Sequence, residues 1–403
     1  MSKTILVVGT FDTKGYEYKF CIDLIQQRGL NTITMNAGIV DEPPFTPDIS
    51  AEEVAAAGGV SLQALRDAND RGNAVVSMSK GAAKLTEALV AEGKIDGACS
   101  MGGTGGSALA AAVYAILPVG VPKVLISTAA AGNVAPYVGV KDVTMMYSIV
   151  DVAGLNNISR QIFTNGVGAI CGMVEQAPPP AGDDKPLITA SMYGVTTPCV
   201  TRVREALEEA GYEVLVFHAI GSGGRSMEAL IDGGYIKGVA DITTQEMIAD
   251  VVSGINSAGP DRMGAAARKG LPQVVTFGAL DMGTYGPVDS VPAQYKERKL
   301  HVHNASITIM ESSAQERIAA AEALVEKING SAGPVVVFIP LRGVSMMDND
   351  EMPFHSPEAN KAMFDVVRNK ADRSKIEIVE LDNHINDAEF AAAMSARLIE
   401  MLA

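Results

Sequence analysis

Short apolar runs alternate with helix-like stretches along this chain, and that alternation restricts it to parallel α/β architecture. Before residue 176 the runs are Thr4 to Thr10, Thr32 to Met35, Ile95 to Met101 and Val121 to Thr128. After residue 186 they are Leu187 to Met192, Glu213 to His218, Gly238 to Ile242, Gln273 to Phe277, Val302 to Met310, Val335 to Pro340 and Ile376 to Leu381. Between the two series lies Glu175-Gln-Ala-Pro-Pro-Pro-Ala-Gly-Asp-Asp-Lys-Pro186, which has four prolines and neither a helical nor a strand period. This composition predicts a Pro-rich linker over 177–186, joining an N-terminal α/β domain (1–176) to a C-terminal one (187–403), each with a mainly parallel sheet.

The two halves echo each other. Thr4 to Asn36 reads strand, polar loop, helix ending in Gln-Arg-Gly29, strand; Leu187 to Phe217 reads strand, polar loop, helix ending in Glu-Ala-Gly211, strand. Ala88-Leu-Val-Ala-Glu-Gly-Lys-Ile-Asp-Gly97 matches Ala229-Leu-Ile-Asp-Gly-Gly-Tyr-Ile-Lys-Gly238, and Val121-Pro-Lys-Val-Leu-Ile126 matches Leu271-Pro-Gln-Val-Val-Thr276. Matches in the same order predict an internal duplication, which places the strand at Thr4 with that at Leu187 and the strand at Val121 with that at Leu271.

Charge narrows the partners. The 403 residues carry 32 Lys plus Arg against 47 Asp plus Glu, a net charge of −15 with no basic block, which excludes a sequence-independent grip on nucleic acid. The opening MSKTILVVGT has too short an apolar run for a signal-peptide core, and Ala108 to Ser127 is interrupted by Pro118, Gly120, Pro122 and Lys123. A cytosolic chain without a membrane partner is expected. Cys21, Cys99, Cys171 and Cys199 lie far apart, so they read as small buried residues and not as a metal or disulfide framework.

In an open parallel sheet, ligands meet the loops that follow the carboxyl ends of strands. Ser100-Met-Gly-Gly-Thr-Gly-Gly-Ser107 is such a loop, opening a small-residue helix. Gly102, Gly103, Gly105 and Gly106 let backbone N–H groups turn inward as an anion nest at a helix start, with Thr104 and Ser107 adding hydroxyls. No Gly-Lys-Ser/Thr follows, so it is not a Walker loop, and a tight packing turn is the competing reading. Gly9-Thr-Phe-Asp-Thr-Lys-Gly15 follows the first strand and opens into the same crevice. Gly9, Thr10, Asp12, Thr13 and Lys14 form the second half of the candidate site: Asp12 for a magnesium ion, directly or through water, and Lys14 for phosphate charge. The competing reading makes Asp12 or Thr13 a helix cap. Gly221-Ser-Gly-Gly-Arg225 is a further Gly-rich helix start, with Arg225 either a phosphate fork or a partner of Glu228. His301 and His303 predict a hydrogen-bonded strand pair and not a metal site, and no metal-ligand set is proposed. Arg342 stands where a ligand anion, or a carboxylate capping the sheet, would be met.

These stretches resemble the Tm-one-like ATP-binding domain family, named for a plant tobamovirus-resistance protein and widespread in bacteria. The matching phrases are Val8 to Gly15, Met101 to Ser107, Tyr193-Gly-Val-Thr-Thr-Pro-Cys-Val200, Gly221-Ser-Gly-Gly-Arg-Ser-Met-Glu228, Asp241-Ile-Thr-Thr244, Pro340-Leu-Arg-Gly-Val-Ser345 and His384-Ile-Asn-Asp387. The resemblance implies two Rossmann-like domains, ATP binding and a homo-oligomer. One departure is Glu311-Ser312, where similar proteins carry Arg-Thr. Plant members also carry a carboxyl-terminal enzyme-like barrel where this sequence ends, so any reaction is expected to need either the chain's own chemistry or a separate enzyme subunit as partner.

The resulting expectation is an ATP-binding protein, with Mg2+ and the Gly-rich loop in a cleft between domains, serving as a nucleotide-dependent enzyme or enzyme subunit of small-molecule metabolism. A small anionic metabolite would be its second ligand. The alternative is a non-catalytic ATP-binding module for partner recognition. No catalytic residue is assigned, because phosphoryl transfer needs positioning and charge more than a nucleophile.

Overall fold

A computed structural model of the chain describes residues 2–177, 182 and 184–403; the remainder of the expected linker lies outside the described residues. The chain forms two compact units, Met1–Pro180 and Ala181–Ala403. The first carries strands β1 (Thr4–Gly9), β2 (Asn31–Asn36), β3 (Gly97–Gly102), β4 (Lys123–Ser127) and β5 (Thr144–Tyr147). All pair in parallel, in the order β2-β1-β3-β4-β5. Successive side chains face opposite ways. Ile5, Val7, Cys99 and Ile126 therefore pack against the helices Phe11–Gln27 and Asn157–Glu175, while Leu6, Val8, Ala98 and Leu125 pack against Arg71–Ala91 and Thr104–Ile116. Both faces of the sheet are covered, which explains the nearly continuous apolar runs.

The second unit holds β6 (Leu187–Met192), β7 (Glu213–His218), β8 (Ile236–Thr243), β9 (Gln273–Gly278), β10 (Met282–Tyr285), β11 (Leu300–Asn304), β12 (Ile307–Glu311), β13 (Val335–Pro340) and β14 (Ile376–Leu381). Its main sheet runs β7-β6-β8-β9-β13-β14, all parallel. In each sheet the first strand of its unit is second in order and the fourth strand is fourth. The strand at Thr4 thus takes the place of that at Leu187, and the strand following Val121 that following Leu271, as the internal echo predicts.

The run Val302 to Met310, read as a single strand, is instead two: β11 and β12 form an antiparallel hairpin within a separate three-stranded sheet, β10-β12-β11. Asn304-Ala-Ser306 makes the turn, with the Asn304 side chain accepting from Ser306 N–H at 2.8 Å. Among the described residues, no helix is long and apolar enough to cross a membrane. All four cysteines are buried and free, and burial pushes the Cys99 and Cys199 thiols up to about 12.

One core side chain shapes the site. The β1–β3 pairing ends at Val7 and Cys99, where the two strands part. Tyr18, fully buried, fills the gap: its hydroxyl donates toward the Met101 carbonyl at 2.6 Å and the Val8 carbonyl at 3.1 Å, and accepts from Met101 N–H at 2.9 Å. Gly9 is glycine because a Cβ there would lie 2.1 Å from this ring. Tyr18→Phe would leave the Met101 N–H buried and unpaired, a loss of about 1–3 kcal/mol. Urea denaturation would measure it. An unchanged midpoint would mean that the strand ends do not need the hydroxyl.

Candidate functional site

The strand order of the first unit reverses direction between β1 and β3, and such switch points are where open parallel sheets bind ligands. A pocket of about 810 Å³ opens there, lined entirely by residues of that unit. A volume of this order suits a cofactor-sized ligand. Of the residues predicted from sequence, Thr10, Asp12, Thr13, Lys14, Gly103, Thr104, Gly105 and Gly106 line it. Gly9, Gly102 and Ser107 stand behind the wall. Gly9 is packed on Tyr18, and the Ser107 hydroxyl is used internally, donating to the Gly103 carbonyl at 2.8 Å and lying 2.6 Å from Ser127 Oγ.

The Gly-rich loop divides between the two readings it allowed. A Cβ on Gly102 would lie 3.3 Å from Gly106 Cα, and one on Gly106 would lie 3.1 Å from the Met101 carbonyl, so these two glycines serve close packing. Gly103 and Gly105 are different: an added Cβ would find its nearest neighbours at 3.6 Å and 3.9 Å, ordinary contact distances. Packing does not require glycine at either position, and both face the pocket. Gly103 is the N-cap of the helix Thr104–Ile116 and supplies no capping side chain. The first N–H groups of that helix therefore lack a side-chain acceptor, at the end where the helix dipole is positive.

The loop after β1 is more than a helix cap. The cap position of the helix Phe11–Gln27 is Thr10, whose side chain makes no capping bond, so neither Asp12 nor Thr13 is the cap. Asp12 accepts from Thr13 N–H at 2.7 Å and crosses to Val40 N–H at 2.8 Å, tying the loop after β1 to the loop after β2. Gly38 makes room for this crossing, since a Cβ there would sit 2.1 Å from the Asp12 carboxylate. Lys14 donates to the Val152 carbonyl from a non-helical kink in its helix.

Sequence reading missed the opposite wall. Arg66, Asn69, Asp70 and Arg71 line the pocket together with the apolar Leu65, Ala74, Val75, Met78 and Leu109, and Asp151 joins from the segment after β5. Arg66 Nε donates to the Ile39 carbonyl at 2.6 Å, and Asp70 caps the helix Arg71–Ala91. Arg71 has no hydrogen bond or ion pair among the described residues, and its Nη2 lies 4.0 Å from where a Cβ on Gly105 would be. An unpaired guanidinium thus stands beside an uncapped helix start. Two positive ends meet on one side of the pocket. Among the described residues no group of three or more His, Cys, Asp or Glu could hold a metal ion.

The glycine and arginine candidates of the second unit are satisfied internally. The Gly221 and Gly224 N–H groups are taken by Glu246 Oε1 at 2.7 and 3.0 Å, so the protein's own carboxylate fills that nest. Arg225 bonds the Ser257 carbonyl at 3.2 Å and not Glu228. Glu228 is buried instead with Asp241 and Glu246 around Arg262, a four-residue charge cluster with no local sequence signature. Arg342 pairs two-pronged with Asp382 at 2.9 and 2.7 Å, the carboxylate option of its two readings. His301 and His303 are exposed on β11 and their rings have no hydrogen bond among the described residues, so the expected hydrogen-bonded pair is not formed; Glu311 faces Lys299 at 3.5 Å.

Comparison with known proteins gives the kinship. The models of an uncharacterised protein family, UPF0261, match its N-terminal domain to residues 3–179 and its C-terminal domain to residues 185–402. A UPF0261 protein of Clostridium tetani is 46% identical over 402 residues, covering 100% of both chains. Another, from Rhizobium meliloti, is 42% identical over 397 residues and 98% of both chains. The ToMV resistance protein Tm-1 of Solanum lycopersicum is 33% identical over 426 residues, which cover 99% of this chain but 56% of that protein. Through both of its domains the chain belongs to the UPF0261 family.

Proposed function

We propose that the pocket of the first unit binds ATP, in a cytosolic, homo-oligomeric protein that acts as a nucleotide-dependent enzyme or enzyme subunit of small-molecule metabolism. The observation that carries this reading is the unpaired Arg71 beside the uncapped start of the helix Thr104–Ile116. Polyphosphate supplies the charge that this pairing lacks, accepting from the N–H groups of Thr104, Gly105 and Gly106, with Lys14 as a second cation. Leu65, Val75 and Met78 offer an apolar wall for the nucleoside. Magnesium arrives with the phosphates, since no carboxylate cage stands among the described residues, and Asp12 is the side chain assigned to it, through water. A small anionic metabolite is the proposed second ligand, and a separate enzyme subunit the proposed partner.

Calorimetric titration with ATP and with adenosine tests the assignment. Arg71→Ala and Lys14→Ala are each expected to weaken ATP by roughly five- to thirtyfold, about 1–2 kcal/mol, while leaving adenosine unchanged. Lys14→Ala also removes the bond to the Val152 carbonyl, so a stability loss of about 0.5–1.5 kcal/mol accompanies it. Equal losses for both ligands, or none, would take these cations away from the phosphates.

A further inference from the structure

Away from the pocket, the second unit closes a ring of buried polar side chains around the segment 341–356 that follows β13. Asp281, between β9 and β10, accepts from Ser345 Oγ at 2.7 Å. Asp348 accepts from the N–H groups of Val344 at 3.0 Å and Ser356 at 3.1 Å and from Asn360 Nδ2 at 2.6 Å. Asn360 Oδ1 takes Arg317 Nη1 at 2.5 Å, Arg317 Nε reaches Ser312 Oγ at 3.2 Å, and Ser312 N–H returns to the Asp281 carbonyl at 2.9 Å. Asp281, Arg317, Ser345 and Asp348 are each 0% exposed.

The charges of this ring do not balance with both carboxyls ionised. It holds two carboxyl groups and one guanidinium. His384 accepts from Asn386 N–H at Nδ1, and its Nε2 lies 2.9 Å from the Ser345 carbonyl, so neither nitrogen bonds either carboxyl. His355, partly exposed, faces Asp348 at 3.7 Å and Asp350 at 3.4 Å, not Asp281. Asp348 is met by three donors. Asp281 has one side-chain donor, its Oδ1 is without a partner, and so is Arg317 Nη2.

We propose that Asp281 is a proton-sensitive latch: protonated, it leaves the ring neutral and pins segment 341–356; ionised, it puts two buried carboxylates against one guanidinium and loosens that segment. Burial first, and then the Asp348 carboxylate, push the Asp281 carboxyl up to about 7 against the pull of Arg317. A raised carboxyl means that the folded chain keeps a proton which the unfolded chain releases above about pH 4. The stabilisation is therefore full below that pH, is lost as pH rises, and is gone above neutrality. Between pH 6 and pH 8 the closed-to-open ratio falls about tenfold.

Hydrogen exchange of peptides from 341–356 at pH 6 and pH 8, corrected for intrinsic rates, tests the latch. The parent chain is expected to lose about tenfold in protection at pH 8, and Asp281→Asn, which keeps the shape without the ionisation, to show the same protection at both. An identical pH response in the two chains, or no response in the parent, overturns the proposal. Should Asp281→Asn not fold, carbon-13 titration of aspartate carboxyls in the parent decides: a carboxyl titrating near pH 7 supports the latch, and titration of every aspartate below pH 5 overturns it.

Discussion

A Gly105→Asp chain is expected to fold as the parent does and to bind ATP at least five- to thirtyfold more weakly, a loss of about 1–2 kcal/mol or more. The backbone tolerates the change because an added Cβ would meet Val75 at 3.9 Å and Arg71 at 4.0 Å, without overlap. A carboxylate in the first turn of a helix also suits the dipole, so the melting temperature of the ligand-free chain should hold or rise slightly. The same carboxylate repels phosphate and competes for the N–H groups and for Arg71. Gly105→Ala separates shape from charge and is expected to cost much less affinity. Gly106→Ala is the control for packing: its Cβ would press on the Met101 carbonyl at 3.1 Å, so its effect should appear in the melt first. Titration with ATP and a thermal melt of each variant give the answer. A folded Gly105→Asp chain that binds ATP like the parent would reduce the loop to a packing turn.

Arg262→Met should be the most damaging single change in the second unit. The guanidinium is 1% exposed and holds Asp241 through two 2.6 Å bonds, Glu246 at 2.6 Å and Glu228 at 3.3 Å. Removing it strands three buried carboxylates, and breaking a buried pair from one side costs about 3–5 kcal/mol. Total stability is only about 5–15 kcal/mol, so a large share of the folded population is at stake. Because protonation relieves the stranded carboxylates, the deficit should shrink as pH falls from 7 to 5.5. Urea denaturation at both values measures this. A loss below 1 kcal/mol, or one independent of pH, would show that the cluster reorganises around the gap.

What could be read from the sequence follows from range. Buried strands such as Thr4–Gly9 and Val335–Pro340 announce themselves because both sheet faces are covered, leaving an uninterrupted apolar run. Strand Thr144–Tyr147 lies at the sheet edge, short and partly exposed, and carries no such run. The hairpin of β11 and β12 was hidden because Asn304-Ala-Ser306 turns the chain without a glycine or proline. In the site, Thr10 to Lys14 and Gly103 to Gly106 were visible from their place after strands. Arg71 was not, since only the packing of the helix Arg71–Ala91 over the Gly-rich loop brings it there. Glu228 misled for the same reason: its nearest cation in sequence is Arg225, but its partner is Arg262, 34 residues on.

The Tyr18 hydroxyl gives the crevice a fixed floor. The ring is anchored in the core against Phe11, at 4.9 Å between centroids, so the spacing of the β1 and β3 ends is set from inside the protein and not by an arriving ligand. Accommodation must then come from the roof, the 37–40 loop and the 66–71 turn, which the Ala37–Gly9, Asp12–Val40 and Arg66–Ile39 bonds tether. A ligand of different girth would be admitted by lifting that roof, with the strand ends beneath it left where they are.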